Sequence, residues 1–151
     1  MNEELKTSQE GISLIKSFEG CELESYRCSA NVPTIGFGHT AGVSDGDTCT
    51  QEEAETMLAE DLKEFEDYVK NYVESDLEQN EFDALVAWTY NLGPNNLAES
   101  TMLKELNAGN FEEVPRQMKR WNRAGGEVLD GLIRRREAES LLFRGEAWEG
   151  V

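Results

Sequence analysis

The sequence predicts an α+β fold that is mainly helical, with a small β-hairpin or sheet lobe, a long connecting helix and a helical C-terminal lobe. Three observations predict it. Apolar residues recur at helical spacing over most of the chain. Residues 21–48 break that rhythm and carry Gly36, Gly38, Gly42 and Gly46, with Asn31 and Pro33 at turn-like positions. Behind them, Thr50-x-x-Glu53 is a capping box that opens an apolar stripe of about six turns.

Each element can be justified in order. QEGISLIKSF (9–18) sets Ile12, Ile15 and Phe18 on one helical face with Leu14 beside them, and Gly20 is a stop signal just past Glu19. In residues 21–48, "TIGFG" places β-type residues between glycines, which reads as a small twisted hairpin or three-stranded sheet. After Thr50, the residues Leu58, Leu62, Phe65, Val69 and Val73 form one stripe under a strongly acidic outer face. NEFDALVAWTYNLG is an apolar helix that stops at Gly93. STMLKELNAG follows, with Ser100 as N-cap and Gly109 as C-cap. FEEVPRQMKRWNRAGG and GLIRRREAESLLFRG are read as the helices that complete the lobe. The 151 residues are read as one domain, with lobes at about 12–50 and 74–151 joined by a helix at about 51–73.

Charge excludes several functions. The net charge is −17, which disfavours nucleic acid and anionic membrane as partners. No apolar run approaches the roughly 20 residues of a membrane-spanning helix. The first residues, MNEELKTSQEGISLI, lack the basic and apolar regions of a signal peptide, so synthesis in the cytoplasm is expected. Cys21, Cys28 and Cys49 make an odd set without zinc spacing, which reads as free thiols and not as a disulfide framework or metal site. Against this acidic body stands one basic segment: Arg116, Lys119, Arg120, Arg123, Arg134, Arg135 and Arg136. It is either a set of solvated helix faces, or it meets an anionic polymer or a buried acid.

Three side chains between residues 18 and 40 can carry chemistry. Glu19 closes the first helix, at the negative end of its dipole, a placement suited to a carboxyl group that must deliver a proton. Cys28 follows after eight intervening residues and Thr34 after five more. A thiol can orient or deprotonate water, attack a carbon directly, or serve as an inert small apolar residue, and all three readings stay open at Cys28. Thr34 can both donate and accept a hydrogen bond, so it can hold a water beside Cys28. Arg27 adjoins Cys28, but neighbours on a strand point to opposite faces. His39, the single histidine, reads more readily as a structural partner of Asp61 than as a base.

These residues resemble the phage-type lysozymes, the endolysins of glycoside hydrolase family 24. The likeness rests on Glu19, Cys28 and Thr34 at the family spacing, with Cys where most members carry Asp. It rests also on the turn Thr34-Ile35-Gly36-Phe37-Gly38-His39, on YNLGPNNLAESTMLKELNAG (90–109) and on RWNRAGG with GLIRRREAE (120–139). The resemblance implies a lysozyme-like fold over nearly the whole chain. It implies a muramidase that cuts the β-1,4 bond between N-acetylmuramic acid and N-acetylglucosamine, with Glu19 as general acid and Cys28 and Thr34 positioning or activating water.

It also implies substrate contacts at Thr40, Tyr90, Asn91 and Thr101, and a supporting Arg135 that reaches toward the catalytic Glu. Trp121 and Trp148 are expected in the core. Further expectations are no cofactor and no metal, peptidoglycan as the partner, a monomer, and dependence on a separate membrane lesion such as a holin to reach the wall. A lytic transglycosylase and a non-catalytic wall-binding protein are the rival readings. The acidity is unusual for an enzyme of an anionic wall, and a high-salt working environment is expected to explain it.

Overall fold

Ser8 begins helix α1 (Gln9–Glu19), and its cap comes from far along the chain. The carboxylate of Asp83 accepts from the Ser8 backbone N–H at 2.9 Å and from the Ser8 hydroxyl, and Gln79 donates to the same carboxylate at 2.9 Å. A helix starts with orphan N–H groups, and a buried acceptor satisfies one of them here. The computed structural model describes residues 2–28 and 30–151. The chain forms two compact units, one of Ile15–Glu64 and one of Met1–Leu14 with Phe65–Val151.

The unit of Ile15–Glu64 holds the end of α1, strands β1 (Glu22–Arg27) and β2 (Pro33–Gly36), and the first part of helix α2 (Gln51–Tyr72). β1 and β2 pair antiparallel, with Tyr26 opposite Thr34 and Arg27 opposite Pro33, and the register shifts between Glu22 and Tyr26. The turn between them uses Asn31 at φ 60°, a left-handed position that Asn tolerates. Residues 47–49 run along the other edge of β1: Ser25 N–H donates to Asp47 O and Cys49 N–H to Leu23 O, each at 2.8 Å. The expected choice between hairpin and three-stranded sheet thus resolves, among the described residues, as a hairpin with two isolated bridges, Glu24 to Thr48 and Ile35 to His39. The capping box forms as read, with Thr50 N–H on Glu53 Oε1 at 2.8 Å and Glu53 N–H on Thr50 Oγ1 at 3.1 Å. Ile15, Ile35, Phe37, Ala54, Leu58 and Leu62 are the buried apolar residues.

The other unit is helical. It contains the end of α2, then α3 (Gln79–Leu92), α4 (Pro94–Glu99), α5 (Thr101–Asn107), a 3-10 turn (Phe111–Glu113), α6 (Val114–Met118) and α7 (Asp130–Phe143). Ser100 caps α5 by accepting from Leu103 N–H at 3.0 Å. Phe82, Leu85, Trp88, Leu97, Met102, Leu106 and Met118 are fully buried. Trp88 meets Trp121 edge to face at 5.4 Å. Trp148 is buried as expected, whereas Trp121 is only half-buried and lies past the end of α6.

One expectation is corrected. RWNRAGG is not helical: β3 (Arg123–Ala124) and β4 (Glu127–Val128) form a small antiparallel hairpin. Gly125 and Gly126, at φ 59° and 83°, make its two-residue turn. Positive φ at both central residues is what such a turn needs, and Gly-Gly is a sequence signal for it. The helical reading of this stretch overlooked that signal.

Candidate active site

The hairpin β1–β2 places two of the expected site residues. In an antiparallel pair, residues directly opposite share a face, and so do residues two apart on one strand. Tyr26 and Thr34 are opposite, and Cys28 follows Tyr26 by two residues, so the three share one face. Cys28 is half-buried and Thr34 is buried. The backbone amides of Val32 and Ala30, and then the Thr34 hydroxyl, hydrogen-bond the Cys28 sulfur and hold its thiol below the ordinary range. Such donors favour the charged form, the thiolate.

Thr34 has a second acceptor. Its hydroxyl lies 2.8 Å from Val32 O, to which it donates. One hydroxyl proton serves one acceptor at a time. With Cys28 as a thiol, the Thr34 hydroxyl donates its proton toward Val32 O and its oxygen can still accept. With Cys28 as a thiolate, the proton turns to sulfur. The pair can therefore follow a change of charge at Cys28 without moving backbone.

Glu19 ends α1 and is half-buried. Partial burial, then the charges of Glu19, Glu22 and Cys28, push the Tyr26 pKa up. Lys16, one turn earlier, pairs with Glu55 of α2 and lies over the Phe37 ring at 5.4 Å, which fixes the end of α1 against this unit. Arg27 is engaged with Asp45 at 2.7 Å and with Asn31 O at 3.0 Å, away from Cys28. The separate reading of these neighbours holds for the reason given by strand alternation.

His39 Nδ1 lies 2.7 Å from Asp61 Oδ2, the pair expected from the sequence. Thr40 is exposed in the following loop. An open pocket of about 530 Å3 lies between residues 41–50 and the start of α2, with Val43, Cys49, Glu53 and Met57 among its lining. Glu19, Cys28 and Thr34 do not line it, so the site is assigned on its chemistry and not on this cavity. Among the described residues no cluster of His, Cys, Asp or Glu suits a metal ion. No described helix is long and apolar enough to cross a membrane.

The remaining expected residues belong to the helical unit. Tyr90 packs edge to face on Phe65 at 5.1 Å. Thr101 is exposed at the first position of α5. Asn91 accepts from Arg136 at 2.8 Å, which commits its carbonyl oxygen to the protein. Arg135 is buried, bonding Glu139 at 3.0 Å and Ala87 O at 3.1 Å. Arg136 meets the same carboxylate at 2.7 Å and also donates to Trp121 O at 3.3 Å. The basic segment thus encloses a buried acid, Glu139, while Arg116 and Lys119 pair with Glu113 and Glu137 on the surface. Tyr26 was not among the expected residues. Its signal was its position two residues before Cys28 on a strand.

Known proteins bear on this arrangement. The phage lysozyme family model matches residues 16–139. The chain belongs to the phage lysozyme family. It therefore falls in the lysozyme class of enzymes. It is 43% identical to an endolysin of Bacillus phage B103 over 92% of its own length and 54% of that protein, so it spans about half of that relative. It is 37% identical to the endolysin of Salmonella phage P22, over 92% of this chain and 98% of that one. Among solved structures, the muramidase domain of SpmX from Asticaccaulis excentricus superposes with a TM-score of 0.87 at 37% identity, covering 93% of this chain and 98% of that domain. The lysozyme-like, mainly helical fold with a small β-hairpin is thereby established.

Proposed function

We propose that this phage lysozyme is a muramidase of the endolysin kind, hydrolysing the β-1,4 bond between N-acetylmuramic acid and N-acetylglucosamine in bacterial peptidoglycan. The observation that carries the reading is the Cys28–Thr34 pair on one hairpin face, with Glu19 ending the neighbouring helix of the same unit. Glycoside hydrolysis needs a proton for the leaving oxygen and a handled water on the opposite face of the sugar. Glu19 supplies the proton as general acid. Thr34 holds the water, and Cys28, poised toward thiolate by backbone donors, takes a proton from it as it attacks the anomeric carbon. One water is added across the bond: its oxygen stays on the anomeric carbon as a reducing end of inverted configuration, and the leaving oxygen, protonated by Glu19, becomes a 4-hydroxyl. Arg135, Thr40, Tyr90, Asn91 and Thr101 are carried over as supporting or substrate-contacting residues. Access to the wall through a holin-type lesion, synthesis in the host cytoplasm and action as a monomer complete the proposal.

The test is a digest of purified peptidoglycan by wild type, Glu19→Gln and Cys28→Ser, read by mass spectrometry. Hydrated reducing-end muropeptides should appear with wild type. They should fall by about 10²- to 10⁴-fold with Glu19→Gln, the usual scale of a lost acid catalyst. Products lighter by one water would instead identify a lytic transglycosylase. Binding to sacculi with no product would identify a wall-binding protein.

A further inference from the structure

Tyr26 is a large aromatic side chain left 39% exposed on the face that carries Cys28 and Thr34. Among the described residues its ring stacks on no other ring and its hydroxyl makes no hydrogen bond. Partial burial, then the charges of Glu19, Glu22 and Cys28, push its pKa up. The phenol therefore keeps its proton through the neutral range and remains an exposed donor that no protein group engages among the described residues. An exposed donor and an open aromatic face on the side of the hairpin that carries Cys28 and Thr34 suit a ligand that has both CH faces and oxygens.

We propose that Tyr26 is a substrate-contacting residue, its ring lying along the CH face of an N-acetylated sugar and its hydroxyl donating to an oxygen of that sugar. The inference rests on the muramidase reading and adds to it the residue that seats the sugar over Cys28 and Thr34. Through that contact the substrate would be held where the Thr34 water faces its anomeric carbon. The cross-strand position opposite Thr34 ties the sugar's placement to the water's, because both are set by one register.

The experiment compares wild type, Tyr26→Phe and Tyr26→Leu for hydrolysis of soluble peptidoglycan strands, with thermal midpoints measured alongside. Binding of the same variants to sacculi is measured in a Glu19→Gln background. Tyr26→Leu should lose at least about ten-fold in kcat/KM, chiefly through KM, as expected for a lost substrate contact. Tyr26→Phe should fall between it and wild type, because it keeps the ring and loses the donor, and the thermal midpoint should not move. Sacculus binding should weaken in the same order. If wild type is active and Tyr26→Leu keeps its KM and its binding, the proposal is wrong and the muramidase reading stands. The proposal also fails if the loss in activity comes with an equal fall in stability and no change in binding. If wild type binds sacculi without cutting them, the muramidase reading fails, and Tyr26 is judged by binding alone. If it neither cuts nor binds, both fail.

Discussion

His39 Nδ1 sits 2.7 Å from Asp61 Oδ2, joining the glycine turn after β2 to the middle of α2. Both side chains are partly shielded, at 17% and 24% exposure, so the pair is more than a surface contact and less than a buried one. Asp61→Asn should lower stability by about 1 kcal/mol and leave kcat within a few-fold of wild type. Loss of turnover at unchanged stability would instead make His39 part of the chemistry.

The three thiols should differ in reactivity. Backbone donors at Val32 and Ala30, then Thr34, lower the Cys28 pKa, whereas burial, then Cys21 and Glu53, raise that of Cys49. The thiolate is the nucleophile, so as pH rises Cys28 should reach its thiolate, and its full alkylation rate by iodoacetamide, before an unperturbed thiol at about 8.5. Cys49 should lag behind it. Peptide mapping after timed alkylation checks the order, and Cys49 reacting ahead of Cys28 would contradict it. Thr34→Val, which removes one of the donors to sulfur, should move the Cys28 profile to higher pH.

Gly11 is needed for close approach. A methyl group there would lie 2.8 Å from Thr7 Cγ2 and 2.9 Å from Asp83 Cβ and Cγ. Asp83 cannot yield easily, since Ser8 and Gln79 hold its carboxylate. Overpacking costs about 1–3 kcal/mol, and the helix gain of Gly→Ala offsets up to about 1 kcal/mol. Gly11→Ala should therefore lower the thermal midpoint, and a raised midpoint would show that α1 can shift away.

The single carboxylate of Glu139 is shared by two buried guanidinium groups, those of Arg135 and Arg136. Removing it takes away the carboxylate that the two guanidinium groups share, and breaking a buried pair costs about 3–5 kcal/mol. Glu139→Gln should unfold at markedly lower denaturant concentration than wild type. Near-wild-type stability would mean that water reaches Arg136.

The net charge of −17 sets a salt prediction. Repulsion from an anionic wall is screened beyond about 10 Å at 0.1 M salt. Lysis rate should rise or hold as salt is raised from low ionic strength. A steady fall would remove the idea of a high-salt working environment.

Much of this protein was legible in its sequence because the signals are local. Helical periodicity, the Thr50–Glu53 box, the Ser100 cap and the stop at Gly93 each involve residues within about a turn of one another, and each element formed where its signal lay. The spacing of Glu19, Cys28 and Thr34 was legible for the same reason, as was the likeness to phage lysozymes. The 120–128 stretch was misread although its Gly-Gly turn was also local, since a basic, helix-like flank outweighed two glycines. Tertiary structure alone decided the rest. The acid that caps α1 lies 75 residues away at Asp83, and packing decides that Arg135, Arg136 and Glu139, neighbours on one helix, are buried together. These depend on which groups are desolvated together, and burial makes a polar group seek a partner that no local pattern names.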